Sequence, residues 1–169
     1  MVKLLKTDVF IADPYNENHI TLYKEFEQKN NLLNTTSKYL EDVKEKYTKK
    51  EYNNRLTTSI ENTISLFLTK NNKISDFCLI KYEKDRKIAN VTYPKIEKSK
   101  RKIIAASSVY IFNVLSLEEM FVSIDSSDDN LIANLIENGF ESLGKGTDTI
   151  EFIKEKPLEN EIERTRKWK

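Results

Sequence analysis

Apolar and polar positions along this chain change period several times, and each change marks an element. Thr7–Ile11 (TDVFI) reads as a short strand stopped at Asp13-Pro14. From Asn18 or His19 onward, Leu22, Tyr23, Phe26 and Leu33 recur at helical spacing until Asn30, Asn31 and the stretch 34–37 break the pattern. Ser37 is placed to N-cap a second helix, with Glu41 and Asp42 in its first turn, where carboxylates suit the helix dipole. Tyr39, Leu40, Val43 and Tyr47 form the stripe of that helix, and Tyr52, Leu56 and Ile60 extend it.

From Asn62 the period becomes 2. Thr63–Thr69 (TISLFLT), Ile74–Lys81 (ISDFCLIK) and Arg86–Tyr93 (RKIANVTY) are three strands of an antiparallel meander. Asn71-Asn72 sits where a tight hairpin turn is wanted, and Glu83-Lys84-Asp85 forms the second turn. The helical period then returns. Ile103, Ile104, Val109, Phe112 and Leu115 share one broad apolar side, with Ala105 to Ser108 small enough for close packing. Met120–Ile124 (MFVSI) is a strand, and Ser127 or Asp128 caps a helix whose Ile132, Leu135 and Ile136 face inward. Gly139 suits the C′ position of that helix. Phe140 onward, through Thr149–Lys154 (TIEFIK), supplies one or two final strands. Residues 1–156 are expected to form one domain and 157–169 a charged tail, either a helix whose Leu158, Ile162 and Trp168 dock on the domain or a partner, or a frayed terminus.

Composition narrows the chemistry. The chain has 169 residues but three glycines, Gly139, Gly144 and Gly146, and it lacks both GxxxxGKS/T and GxGxxG. Lys+Arg 28 against Asp+Glu 27 gives a net charge of +1, so no global field directs it to nucleic acid or anionic membrane. No apolar run approaches a membrane span, and Lys3 and Lys6 interrupt the short apolar start, so a cytoplasmic protein is expected. Sixteen Asn and 23 Lys are what an AT-rich, bacterial-like coding sequence produces. One cysteine, Cys78, leaves no internal disulfide, and one histidine, His19, with one cysteine cannot build a usual zinc site, so no metal is expected. The acids at 125–129 lack the glycine and terminal glutamate of a calcium loop and read as helix capping.

The order strand, two helices, three-strand meander, helix, strand, helix, strand resembles the GNAT N-acetyltransferase superfamily. The likeness is sharpest at Leu115–Gly144, LSLEEMFVSIDSSDDNLIANLIENGFESLG, which is similar to the family's fifth strand, fourth helix and following Gly-Phe. The resemblance implies an α/β (α+β) fold: a single domain with a mostly antiparallel sheet of six to seven strands, splayed between strands 4 and 5, and about four flanking helices. It also implies acetyl-CoA, or another acyl-CoA, as co-substrate, entering the splay with its pantetheine arm along the fourth strand at Val91, Thr92 and Tyr93.

In that family the pyrophosphate rests on a glycine-bearing loop at a helix N-terminus, where backbone N–H groups converge on an anion. The corresponding stretch here, PKIEKSKRKII (94–104), has no glycine. It carries Lys95, Lys98, Lys100, Arg101 and Lys102 against Glu97, with Ser99 among them, and these residues are the candidate phosphate contacts. Cations oppose the dipole at a helix start, so their placement either points to an anion or is that of a solvated loop in a lysine-rich chain. The family's catalytic Tyr falls at Leu135 and its helix-start Asn at Asp128, so neither carries over. Glu83 and Tyr93 remain as candidate catalytic groups; Asp85, or a water on Thr92 and Tyr93, are further options for a base.

The resemblance therefore implies N-acyl transfer from an acyl-CoA to a small-molecule or protein amine, with a homodimer among the assemblies it allows. The alternative is a catalytically inactive module of the same fold, serving binding or regulation.

Overall fold

The computed structural model describes residues 9–96 and 98–157. The expected tail at 157–169 lies outside the described residues except for its first position, as do Thr7 and Asp8 of the first strand.

The elements run β1 (Val9–Ile11), α1 (Glu17–Lys29), α2 (Thr35–Lys46), α3 (Lys49–Thr58), β2 (Glu61–Lys70), β3 (Lys73–Glu83), β4 (Ile88–Thr92), α4 (Arg101–Val109), β5 (Glu119–Asp125), α5 (Asp129–Glu137), β6 (Glu141–Lys145) and β7 (Thr149–Glu155). A π-helical turn at Tyr110–Val114 continues α4. The seven strands form one sheet in the order β1-β2-β3-β4-β5-β7-β6, antiparallel everywhere except between β4 and β5. That parallel pair needs a crossover, which α4 provides.

Alternation along β2 and β3 divides the core between the two sheet faces. Leu66, Leu68, Cys78 and Ile80 bury with Ile103, Ile104 and Ile111 of the α4 segment and Leu131 and Leu135 of α5. Phe67 and Phe77 point the other way and bury with Tyr23 and Phe26 of α1 and Leu40 of α2. A bulge in β3 pairs Leu68 with Asp76 but Thr69 with Ile74, which sends Ile74 to the α1 face while Asp76 stays on the α4 face. Asn71 and Asn72 both take positive φ (54° and 63°), the primed turn expected for that hairpin.

The sheet and the single-domain architecture agree with the sequence reading, while several helix details differ. Tyr47 is extended, and Thr48 starts α3 with a full capping box to Glu51, so Tyr52 and Leu56 belong to a separate helix and Ile60 lies outside it, exposed. Among the described residues there are consequently five helices, where about four were expected. α2 begins two residues before Ser37, which is buried inside it; the carboxylate near its first turn is Glu27 of α1, which accepts the Ser37 N–H at 3.0 Å. On α5, Asp128 is the cap and Leu131 with Leu135 the buried pair, while Ile136 is exposed. Gly139, at φ +86°, follows the Asn138 C-cap in the left-handed region where glycine carries no Cβ penalty.

Candidate active site

β4 and β5 pair over only three positions, Ile88–Glu119, Ala89–Met120 and Asn90–Phe121. Past Asn90 each strand keeps its outer partner: β4 stays on β3 as far as Thr92–Leu79, and β5 stays on β7 as far as Asp125–Thr149. The two inner edges therefore face one another without a ladder. The Tyr93 side chain is buried on the α4 face, its hydroxyl 2.7 Å from that of Ser107, and Pro94 follows with no N–H to offer. Tyr93 thereby continues the inward register of Ala89 and Val91 on the α4 face. Backbone polar groups on such an edge need water or a ligand.

This geometry separates the candidate residues. Val91 and Thr92 form the parted edge, Val91 with its side chain in the core and Thr92 with its side chain exposed. Tyr93 adjoins the edge through its backbone, but its phenol is a core group, and burial pushes its pKa well above the ordinary value. Glu83 pairs with Ile88 at the joined end of β4, about 10 Å along the strand from Val91. It ion-pairs with Arg86 at 3.3 Å and lines a cavity of about 620 Å³ beside Tyr52 and Tyr82. That cavity also reaches Asn90, the last position of the β4–β5 ladder, so Glu83 shares a cavity with the point where the strands part, whereas the Tyr93 phenol does not leave the core. Asp85 is exposed on the adjacent turn.

The cationic stretch also divides. Lys95, Lys98, Ser99, Arg101 and Lys102 are exposed. Lys100 is instead a core residue: its ammonium lies 2.9 Å from Asp76 Oδ1, both side chains are at most 3% exposed, and its backbone N–H donates to Asn134 Oδ1 at 2.6 Å. Burial pulls the Lys100 pKa down and pushes that of Asp76 up, and their attraction offsets part of each shift. Lys100 therefore corrects the reading that placed it with the phosphate-facing cations. The bulge explains how it reaches inward, since Asp76 keeps its place on the α4 face and the freed carbonyl of Ser75 accepts Lys98 Nζ at 3.2 Å.

A second cavity of about 620 Å³ opens at the start of α4, lined by Lys70, Asp76, Lys98, Ser99, Arg101 and Lys102. An adjoining one of about 600 Å³ brings Lys29, Lys70 and Lys73 to Lys98. Lys29, Lys70 and Lys73 were missed in the sequence because they lie on separate elements. On the far side of the loop, α5 holds it directly: Asn130 Nδ2 donates to the Lys98 carbonyl at 2.6 Å, and Glu137 pairs with Arg101 at 2.7 Å.

The remaining conspicuous residues are structural. His19 is buried, accepts the Asp13 N–H on Nδ1 at 2.9 Å and meets Phe67 edge-on, and burial lowers its pKa. Cys78 is a buried thiol pushed up by desolvation. Asp125 accepts from Ser127, and Asp128 caps α5. Among the described residues no helix is long and apolar enough to cross a membrane.

Sheet order, the single parallel pair and the parted strands together define the fold of the GNAT N-acetyltransferases. Among solved structures, the chain is similar to the N-acetyltransferase PseH of Campylobacter jejuni in complex with acetyl coenzyme A, with a TM-score of 0.61 and 10% identity over 88% of this chain and 99% of that one. It is also similar to the dodecameric spermidine N-acetyltransferase of Vibrio cholerae (TM-score 0.56, 11% identity, 88% and 94% covered). A third is the PaiA N-acetyltransferase of Thermoplasma acidophilum in complex with coenzyme A (0.53, 14%, 87% and 98%). No family model and no curated protein matches the sequence. At these identities the likeness is one of fold.

Proposed function

We propose that the chain is an N-acyltransferase that uses an acyl-CoA, acetyl-CoA in the first instance, and acts on an amine. The parting of β4 and β5 beyond Asn90 carries this reading, because it leaves a backbone edge of the length and polarity that a pantetheine arm can pair with. Two neighbours in fold, bound to acetyl coenzyme A and coenzyme A, support it. In this reading Val91, Thr92 and the Tyr93 backbone pair with pantetheine. Lys98, Arg101 and Lys102 hold the CoA phosphates at the positive end of α4, with Ser99 on the loop and Lys95 beside it. The Lys100 ammonium anchors the loop to β3 and leaves phosphate binding to its neighbours.

The chemistry is direct displacement. A neutral amine attacks the thioester carbonyl, the oxyanion collapses, and the thiolate leaves and takes a proton, so the site must accept one proton and return one. The burial of the Tyr93 phenol argues against it as the direct partner, whereas Glu83, in one cavity with Asn90, remains a candidate base.

One observation favours the non-catalytic module. The loop N–H of Lys100, placed where an anion would want it, is already satisfied by Asn134. Calorimetric titration of acetyl-CoA and CoA decides between the readings. Acyl transfer requires a Kd of millimolar or tighter, about −4 kcal/mol. Weaker binding, or tight binding with no thiol released in the presence of amines, overturns it.

A further inference from the structure

Glu27 is the last buried residue of α1, and its side chain is half satisfied. Oε1 accepts the Ser37 N–H inside α2, while Oε2 is buried with no hydrogen-bond partner among the described residues. The residue is 1% exposed. A buried, unpaired carboxylate oxygen carries a desolvation cost that a native structure retains only where something offsets it.

The surroundings indicate what that partner is. Glu27 lines a cavity of about 370 Å³ between the α1–α2 connection and β3–β4, and among the described residues it is the only charged one there. The other walls are apolar or uncharged, with Leu32 and Thr36 on the helical side and Phe77, Leu79, Thr92 and Pro94 on the sheet side. Leu33, 81% exposed, stands at the rim as apolar surface that a ligand would cover. Thr92 ends β4 on its parted edge and Pro94 lies two residues beyond, so the cavity and the groove share a wall.

We propose that this cavity binds a primary monoammonium ion with a short apolar tail, its N–H donors on Glu27 Oε2 and its tail against Leu32, Phe77 and Leu79. A single carboxylate among otherwise uncharged walls matches one positive charge. A diammonium of the same length would bring a second charge among uncharged walls with no second carboxylate to meet it, so the site selects monoamines over polyamines. On the acyltransferase reading, on which only this role rests, the bound ammonium is the resting form of the acceptor, held beside the end of β4, and it attacks as the neutral amine after giving up one proton to the site.

The test uses the full chain and n-butylammonium, 1,4-butanediammonium and n-butanol as probes, followed through the backbone amide resonances of Leu32, Thr36, Leu79 and Thr92. The monoammonium should shift these resonances saturably with Kd of about 1 mM, as expected for so small a ligand, and the diammonium should bind at least tenfold more weakly. Glu27→Gln keeps the acceptor for Ser37 N–H and removes the charge. It should cut n-butylammonium affinity at least tenfold, leave butanol binding unchanged and keep Tm the same or higher. Leu79→Trp, which fills the cavity from the sheet side, should block the monoammonium independently of Glu27. Equal binding to wild type and Glu27→Gln, a preference for the diammonium, or no saturation by roughly fifty times the expected Kd overturns the proposal. A CoA titration on the same samples keeps the two readings apart. Amine binding without CoA binding retains this site and removes acyl transfer, and CoA binding without amine binding does the reverse.

Discussion

A lysine ammonium and a carboxylate enclosed together at 2–3% side-chain exposure, as Lys100 and Asp76 are, gain little net stability from their attraction, because both must leave water. Breaking one half is another matter. Asp76→Asn strands a buried cation and should cost about 3–5 kcal/mol. For a chain of this size that lowers Tm by roughly 10 °C or more in a thermal melt. Replacing both partners by apolar residues, Asp76→Leu with Lys100→Met, should recover most of the loss, so the double-mutant cycle is strongly non-additive. An additive cycle would mean that the ammonium reaches water. Neither half of this pair was singled out as a buried charge in the sequence, although the strand pattern bears on one of them once its buried face is known. Asp76 stands in the same inward register as Cys78, Ile80 and Tyr82, and an acid at a buried strand position demands a partner. Lys100 was not legible, since one lysine in a lysine-rich loop has no periodicity to distinguish it from Lys98 or Lys102.

At the scale of elements, the strands were readable because hydrophobic alternation records which face is buried, and the paired asparagines at 71 and 72 record the turn that closes them. Helix limits were harder, because caps decide them: Thr48 with Glu51 ends the α2 stripe although apolar spacing continues through Tyr52 and Leu56. α5 carries a second message beneath its apolar pair. Asn130, Asn134 and Glu137, at i, i+4 and i+7, form one polar stripe, and all three hold the loop before α4 or its first residue. That stripe looks like ordinary surface in the sequence, and only the packing of α5 on α4 gives it a target. Asn134 is the buried member, 7% exposed. Asn134→Ala leaves the Lys100 N–H unpaired, which should cost about 1–2 kcal/mol and lower Tm by several degrees. Releasing that N–H toward the groove should also tighten CoA binding about fivefold, the equivalent of one hydrogen bond. Calorimetry on the variant checks this, and unchanged affinity would place the phosphates away from the Lys100 amide.

Across the whole molecule the net charge is only +1, so long-range attraction for an anion has to come from where cations are placed rather than from their excess. The fold gathers them: Lys29 from α1, Lys70 and Lys73 from the β2–β3 hairpin, Lys98 from the loop and Arg101 with Lys102 from α4 border two neighbouring cavities at one end of the sheet. Only the run at 95–102 was visible in sequence, because proximity along the chain is all that a sequence displays. Arg101 is already engaged by Glu137, whereas Lys70 and Lys102 line the cavity without a carboxylate partner among the described ion pairs. Lys70 and Lys102 should therefore hold more of the field than their place in the sequence suggests. Neutralising Lys70, Lys98 and Lys102 together to Gln should weaken CoA binding at least tenfold and flatten its dependence on ionic strength, since exposed charges act through a screened field. Neutralising Lys81, Lys84 and Lys87 at the opposite end of β3 should leave both quantities unchanged. If the two triple variants bind alike, the anion is held by backbone N–H groups at the α4 start and the cations do no more than keep that end of the sheet solvated.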